Sequence, residues 1–148
     1  MIYLGSDHRG FSLKGKIKEW LEEWEKDCQD LGNHNYNKDD DYVDWALKVA
    51  KKVAQDMALG ILICGSGIGV SVMANKIKGI RAGLCTSVKQ SRKAVEDDNI
   101  NILCLSANFV NEQDNQKIVK MFLNSIFSGD ERHFRRLEKI RQYESKNC

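Results

Sequence analysis

The segment Ile61-Leu62-Ile63-Cys64-Gly65-Ser66-Gly67-Ile68-Gly69 places a thiol at the end of an apolar run, with three alternating glycines behind it. Glycines alternating after a strand let the backbone fold into a concave row of N–H donors, and a following helix adds the positive end of its dipole. Such a nest suits an anion or a developing oxyanion. The spacing is not the G-x-G-x-x-G of a dinucleotide site, and no Walker lysine follows. The plainer alternative is a tight strand-to-helix turn. A thiol at the mouth of such a nest is available as a thiolate, hence as a nucleophile or a proton-abstracting base. The plainer alternative for Cys64 is a buried strand cysteine, the reading that suits Cys85 and Cys104.

Two other groups could do chemistry. Asp7-His8 follows the apolar run Ile2-Tyr3-Leu4 and is either a capped loop or a pair facing the same crevice as Cys64. In Arg132-His133-Phe134-Arg135-Arg136, Arg132 and Arg136 share one helical face, with His133 beside Arg136 on the next turn. Two guanidinium forks and an imidazole suit a phosphate dianion; the alternative is a solvated basic helix.

These residues need elements to position them. Apolar residues recur at helical spacing over 11–26 and again from Val43 to Val53. A short strand is expected near Cys28–Leu31, and 32–41 reads as a polar loop. The run 59–64 is too short for a helix and suits a strand buried on both faces, as in a parallel sheet. A helix to about Lys78, a strand over 80–85, a helix over 88–97, a strand over 100–105 and helices over 111–127 and 130–144 complete the chain. This alternation predicts an α/β fold: a single-domain Rossmann-like three-layer sandwich over 1–148, with a five-stranded, mostly parallel sheet and a C-terminal helix. Ligands of such folds sit outside the carboxyl ends of the strands, where Asp7, His8 and Cys64 fall.

Composition bounds the function. The 148 residues carry 23 Lys and Arg against 21 Asp and Glu, a net charge of +2. So even a balance gives no bulk reason to bind nucleic acid or an anionic membrane. No apolar run approaches the ~20 residues of a membrane helix. The start, Met1-Ile2-Tyr3-Leu4-Gly5-Ser6-Asp7, lacks a basic leader, and a cytoplasmic protein is expected. The five cysteines (Cys28, Cys64, Cys85, Cys104 and Cys148) form no C-x-x-C pair, so neither a structural zinc site nor a redox dithiol is expected. A reducing compartment fits.

Taken in order, the residues resemble one family along nearly the whole chain, ribose-5-phosphate isomerase type B, in the wider group that includes the galactose-6-phosphate isomerase subunits. The resemblance rests on Ser6-Asp7-His8-Arg9-Gly10-Phe11, Asp41-Tyr42, Gly60 to Gly69, Ala74-Asn75-Lys76, Gly79-Ile80-Arg81-Ala82, Asn101-Ile102-Leu103 and Gly129-Asp130-Glu131-Arg132-His133. It implies interconversion of an aldose phosphate and a ketose phosphate with neither metal nor cofactor. By this resemblance Cys64 is the base that moves a proton between C1 and C2, and Ser66 assists. The backbone donors of Gly65, Gly67, Ile68 and Gly69 stabilise the enediolate oxygen. Asp7 holds sugar hydroxyls, and His8, Arg132 and Arg136 bind phosphate. The resemblance also implies a homodimer, or a tetramer of two, with the active site shared between subunits.

Three positions depart from the family pattern. Asp97-Asp98 stands where the family has His-Asn, whose His opens the furanose ring. Asn108 stands at a frequent Arg, and Val43 follows Asp41-Tyr42 in place of Pro. A carboxyl is a poorer proton donor than an imidazole near neutral pH. Ribose 5-phosphate is the default substrate. A hexose 6-phosphate, a tetrose 4-phosphate and a non-catalytic sugar-phosphate-binding subunit remain alternatives.

Overall fold

The computed structural model describes residues 1–147; Cys148 lies outside them. Five strands alternate with helices: β1 (Ile2–Ser6), α1 (Phe11–Glu23), β2 (Cys28–Asp30), α2 (Tyr42–Asp56), β3 (Leu59–Cys64), α3 (Ile68–Ala74), β4 (Ala82–Leu84), α4 (Val88–Asp98), β5 (Ile102–Ser106), α5 (Glu112–Asn124) and α6 (Glu131–Asn147). The strands form one sheet in the order β2-β1-β3-β5-β4. Every pairing is parallel, so the mostly parallel sheet expected from the sequence is wholly parallel.

Successive side chains of a strand face opposite sides of a sheet, and β3 shows what that does here. Ile61 and Ile63 pack with Leu13, Ile17 and Leu21 of α1 and with Ile118 and Phe122 of α5. Leu62 and Cys64 pack on the other face with Val49 and Val53 of α2 and Val70 of α3. Both faces being covered explains why β3 reads as an unbroken apolar run.

Some helices end earlier than their apolar spacing suggests. Helix α1 stops at Glu23 instead of running to 26, because the chain turns through Glu25 at a φ of 55°. Helix α3 stops at Ala74, short of the expected 78. The Asn75 amide donates to the Ser71 and Ala82 carbonyls and accepts from the Ala82 N–H, which turns the backbone toward β4. Helix α5 starts behind the Asn111 cap, whose side chain accepts from the Asp114 N–H at 2.8 Å, and stops at Asn124, short of 127, where the backbone turns extended at Ser125.

The sheet order reverses between β1 and β3, whose carboxyl ends lie side by side: Ser6 pairs with Ile63. On the other flank Cys64 pairs with Ser106 of β5. The residues after these three strands therefore emerge together at the switch point, where an open α/β sheet forms its crevice.

Candidate active site

The loop after β3 is tied to the loop after β5. The Ala107 and Asn108 N–H groups donate to the Cys64 and Gly65 carbonyls at 3.0 and 2.9 Å, and the Ser106 hydroxyl donates to the Gly65 carbonyl at 2.7 Å. Gly67 takes a φ of 76°, and a β-carbon there would lie 2.5 Å from the Leu84 side chain, so only glycine fits. That turn brings the Gly67 N–H back to donate to the Cys64 Sγ at 3.1 Å, and the Ile68 N–H donates to the Ser66 Oγ at 3.1 Å. Gly67 and Ile68, expected as donors to an oxyanion, here hold the loop and face the thiol and hydroxyl themselves.

Cysteine environments separate sharply. Burial pushes the Cys85 thiol up to about 11 and the Cys104 thiol well above its ordinary value, and it raises Cys28 as well. Those three are held as thiols by desolvation. Cys64 is the one free cysteine among the described residues whose sulfur accepts a backbone N–H, and it lines an open crevice.

That crevice has a volume of about 440 Å³. Asp7, His8 and Arg9 line it from the end of β1, and Cys64, Gly65, Ser66 and Gly69 from the end of β3. Asp40, Asp41 and Tyr42 line it from the α2 entry, Asn108 and Phe109 from the end of β5. Asp7 is buried and serves two purposes. Its Oδ1 accepts the Arg9 and Gly10 N–H groups at 2.9 and 3.1 Å, capping the turn into α1, while its carboxylate faces the crevice.

Asp40, read from sequence only as part of a polar loop, organises His8. Asp40 Oδ1 accepts the His8 backbone N–H at 2.9 Å and the His8 Nδ1 at 2.8 Å. Its Oδ2 accepts from the Asn33 amide at 2.8 Å and the Trp45 indole at 3.0 Å. Burial pushes the Asp40 carboxyl up, but the donors from His8 and Trp45 more than offset this and hold it below its ordinary 3.8. An ionised carboxylate only accepts, so the proton of the pair sits on His8 Nδ1 and Nε2 is left for the crevice. The support continues inward. The buried Lys14 donates to Asp30 at 2.7 Å and to the Asn33 carbonyl, and burial lowers its pKa.

Four sequence-predicted site residues lie away from this chain's own crevice. Arg132 and Arg136 are exposed on α6, Arg132 with Asp130 at 3.8 Å. Asp97 sits at the end of α4, 3.8 Å from Lys93 and 3.7 Å from His133 Nε2. Asp98 lines a separate cleft with Asn75 and Tyr143. His133 does not join the two arginines as their spacing suggested. It is buried, with Nδ1 2.7 Å from Ser128 Oγ, because α6 turns it inward against α4.

The chain has recognisable relatives. The family described as ribose/galactose isomerase matches residues 2–140. A probable ribose-5-phosphate isomerase B of Mycoplasma genitalium is 47% identical over 145 residues, covering 97% of this chain and 95% of that protein. The ribose-5-phosphate isomerase B of Mycobacterium tuberculosis H37Rv is 34% identical over 144 residues, covering 97% of this chain and 89% of that protein. A crystal structure of the Mycoplasma genitalium ribose-5-phosphate isomerase B with bound ribulose-5-phosphate aligns with a TM-score of 0.95 at 45% identity, over 99% of this chain and 97% of that one. The Clostridium thermocellum ribose-5-phosphate isomerase B aligns with a TM-score of 0.95 at 39% identity, over 99% of both chains.

Proposed function

Because the chain belongs to the ribose/galactose isomerase family, we propose that it interconverts ribose 5-phosphate and ribulose 5-phosphate, with Cys64 as the base. The observation that carries this reading is the Cys64 sulfur at the switch-point crevice, facing Asp7 and His8 across the β1–β3 junction.

The thiolate removes the proton on C2 of the open-chain aldose, and the electron pair moves onto the C1 oxygen to give a 1,2-enediolate. The proton is returned to C1 while the C2 oxygen becomes the carbonyl, and the hydroxyl proton passes from O2 to O1. Ser66 stands beside that transfer. Asp7 holds the sugar hydroxyls, and His8, its Nδ1–H held by Asp40, donates to the phosphate from Nε2 when the ring carries a proton there as well. The N–H groups of the 65–69 loop favour negative charge at this end of the crevice.

Arg132, Arg136, Asp97 and Asp98 act in this reading on the crevice of a second copy. Supporting it, none of the four lines its own chain's crevice, and α6 carries exposed Phe134, Ile140 and Tyr143. A cleft of about 790 Å³ runs along α6 between Phe127, Phe134 and Ile140. An apolar helix face of this kind suits burial against a second copy. The whole chain then works as a single isomerase domain in a homodimer. No helix among the described residues is long and apolar enough to cross a membrane, and a cytoplasmic enzyme is proposed.

An isomerisation assay on tetrose, pentose and hexose phosphates tests the reading. Turnover is expected to be highest on ribose 5-phosphate. Outright preference for a tetrose or hexose phosphate overturns the substrate, and no turnover on any overturns the activity.

A further inference from the structure

The crevice of this chain is acidic on one side. Asp7, Asp40 and Asp41 all line it, yet the ligand proposed above carries a phosphate dianion. Coulomb repulsion from three carboxylates has to be countered within the same crevice. Among its lining residues only His8 and Arg9 can carry positive charge, and only Arg9 does so regardless of pH.

The position of Arg9 is set by its neighbours. Its backbone N–H is pinned to Asp7 Oδ1 at 2.9 Å. Its side chain runs over Gly65, the residue that follows Cys64. A β-carbon built on Gly65 would lie 2.8 Å from the Arg9 Cδ and 2.8 Å from the Asn108 amide nitrogen. The glycine therefore leaves room for two side chains to converge over the loop, one from the end of β1 and one from the end of β5. Among the described residues the Arg9 guanidinium makes no ion pair, neither with Asp7, Asp40 and Asp41 in the crevice nor with Glu112 in the recess on its other side. Arg81 and Arg141 are occupied, by the Asn99 carbonyl and by Glu138, both at 2.7 Å, and the remaining arginines that like Arg9 make no ion pair among the described residues, Arg92, Arg135 and Arg136, do not line the crevice.

We propose that Arg9 is a phosphate-binding residue that each chain contributes to its own crevice, with the Asn108 amide as a second donor on the other flank of Gly65. The inference rests on the proposed sugar-phosphate activity for the identity of the ligand. The fork geometry of a guanidinium matches two phosphate oxygens at once. Arg9 and His8 are adjacent in sequence and line one crevice, so the two bracket a phosphate held there. Arg9 also supplies charge that does not depend on the second copy, so a lone chain retains affinity for the anion.

The test compares the parent chain with Arg9→Ala, Arg9→Lys and Arg9→Ala/Asn108→Arg. Two quantities are measured: the KM for ribose 5-phosphate, and the affinity for inorganic phosphate by calorimetry. Arg9→Ala is expected to raise both the KM and the phosphate Kd by roughly tenfold to a hundredfold, the size of one lost charge-assisted contact, with kcat moving far less. Arg9→Lys is expected to fall between parent and Arg9→Ala. Asn108→Arg is expected to recover much of the loss, because both side chains reach the face of Gly65. Unchanged KM and phosphate affinity in Arg9→Ala overturn the proposal. A parent that binds phosphate through Arg9 without isomerising ribose 5-phosphate supports this site and overturns the proposed activity; a parent that does neither overturns both.

Discussion

Asp40 and His8 are joined by two hydrogen bonds to the same carboxylate oxygen, one from the His8 backbone and one from its ring, at 2.9 and 2.8 Å. The other oxygen takes two more donors, from Asn33 and Trp45. A carboxylate satisfies all four. An amide does not, since in either orientation its NH2 meets two donors. Asp40→Asn should therefore cost about 1.5–3 kcal/mol of stability and release His8 from its Nδ1–H tautomer, read by 15N chemical shifts of the ring. The folded-state pKa of Asp40 lies below its ordinary 3.8, so its contribution is present above that value and lost as pH falls through the lower, folded-state one. The gap in unfolding free energy between parent and variant should hold at neutral pH and narrow below 3.8. An unaltered His8 tautomer in the variant would remove the positioning role.

Cys64→Ala should lower turnover by about two orders of magnitude or more, the range of a lost general base. Cys85→Ala should leave turnover nearly intact, because burial holds that thiol at about 11 and it does not line the crevice. The same contrast should appear with a small thiol alkylating agent, whose adduct site is read by mass spectrometry. Full activity in Cys64→Ala would end its assignment as base.

Arg132→Ala/Arg136→Ala should raise the KM for the sugar phosphate by roughly tenfold or more. Because the arginines are proposed to serve a second copy's crevice, mixing this variant with Cys64→Ala, assayed at substrate well below the parental KM, should give more turnover than either variant gives alone. Random reassortment of two C2 dimers leaves one intact site per heterodimer, about a quarter of parental activity at equal mixing. No recovery after verified subunit exchange would place the arginines and Cys64 of one chain in one site.

Asp97 is flanked by Lys93 and by the buried His133. If it takes part in opening a furanose ring, Asp97→Asn should slow a ring-forming pentose phosphate far more than a tetrose phosphate that stays open-chain. Steady-state kinetics on the two substrates read the difference. Equal, weak effects would leave Asp97 as the end of α4 and nothing more.

Much of this was legible in the residues alone. Apolar runs flanked by amphipathic segments specify a covered parallel sheet, since each strand must bury both faces. Cys64 and its glycines, and Asp7-His8 after β1, were readable because strand ends and left-handed turns carry local signals. Asp40 was not. In Lys38-Asp39-Asp40-Asp41 the three carboxylates look alike, and which one reaches His8, 32 positions away in sequence, depends on how the loop crosses β1. Arg9 was visible as a residue and silent as a site, because its meaning comes from Gly65, which touches it only after β1 and β3 pair. The inward turn of His133 was hidden for the same reason: helical spacing places side chains around an axis, but only the packing of α6 on α4 decides which of them faces the protein.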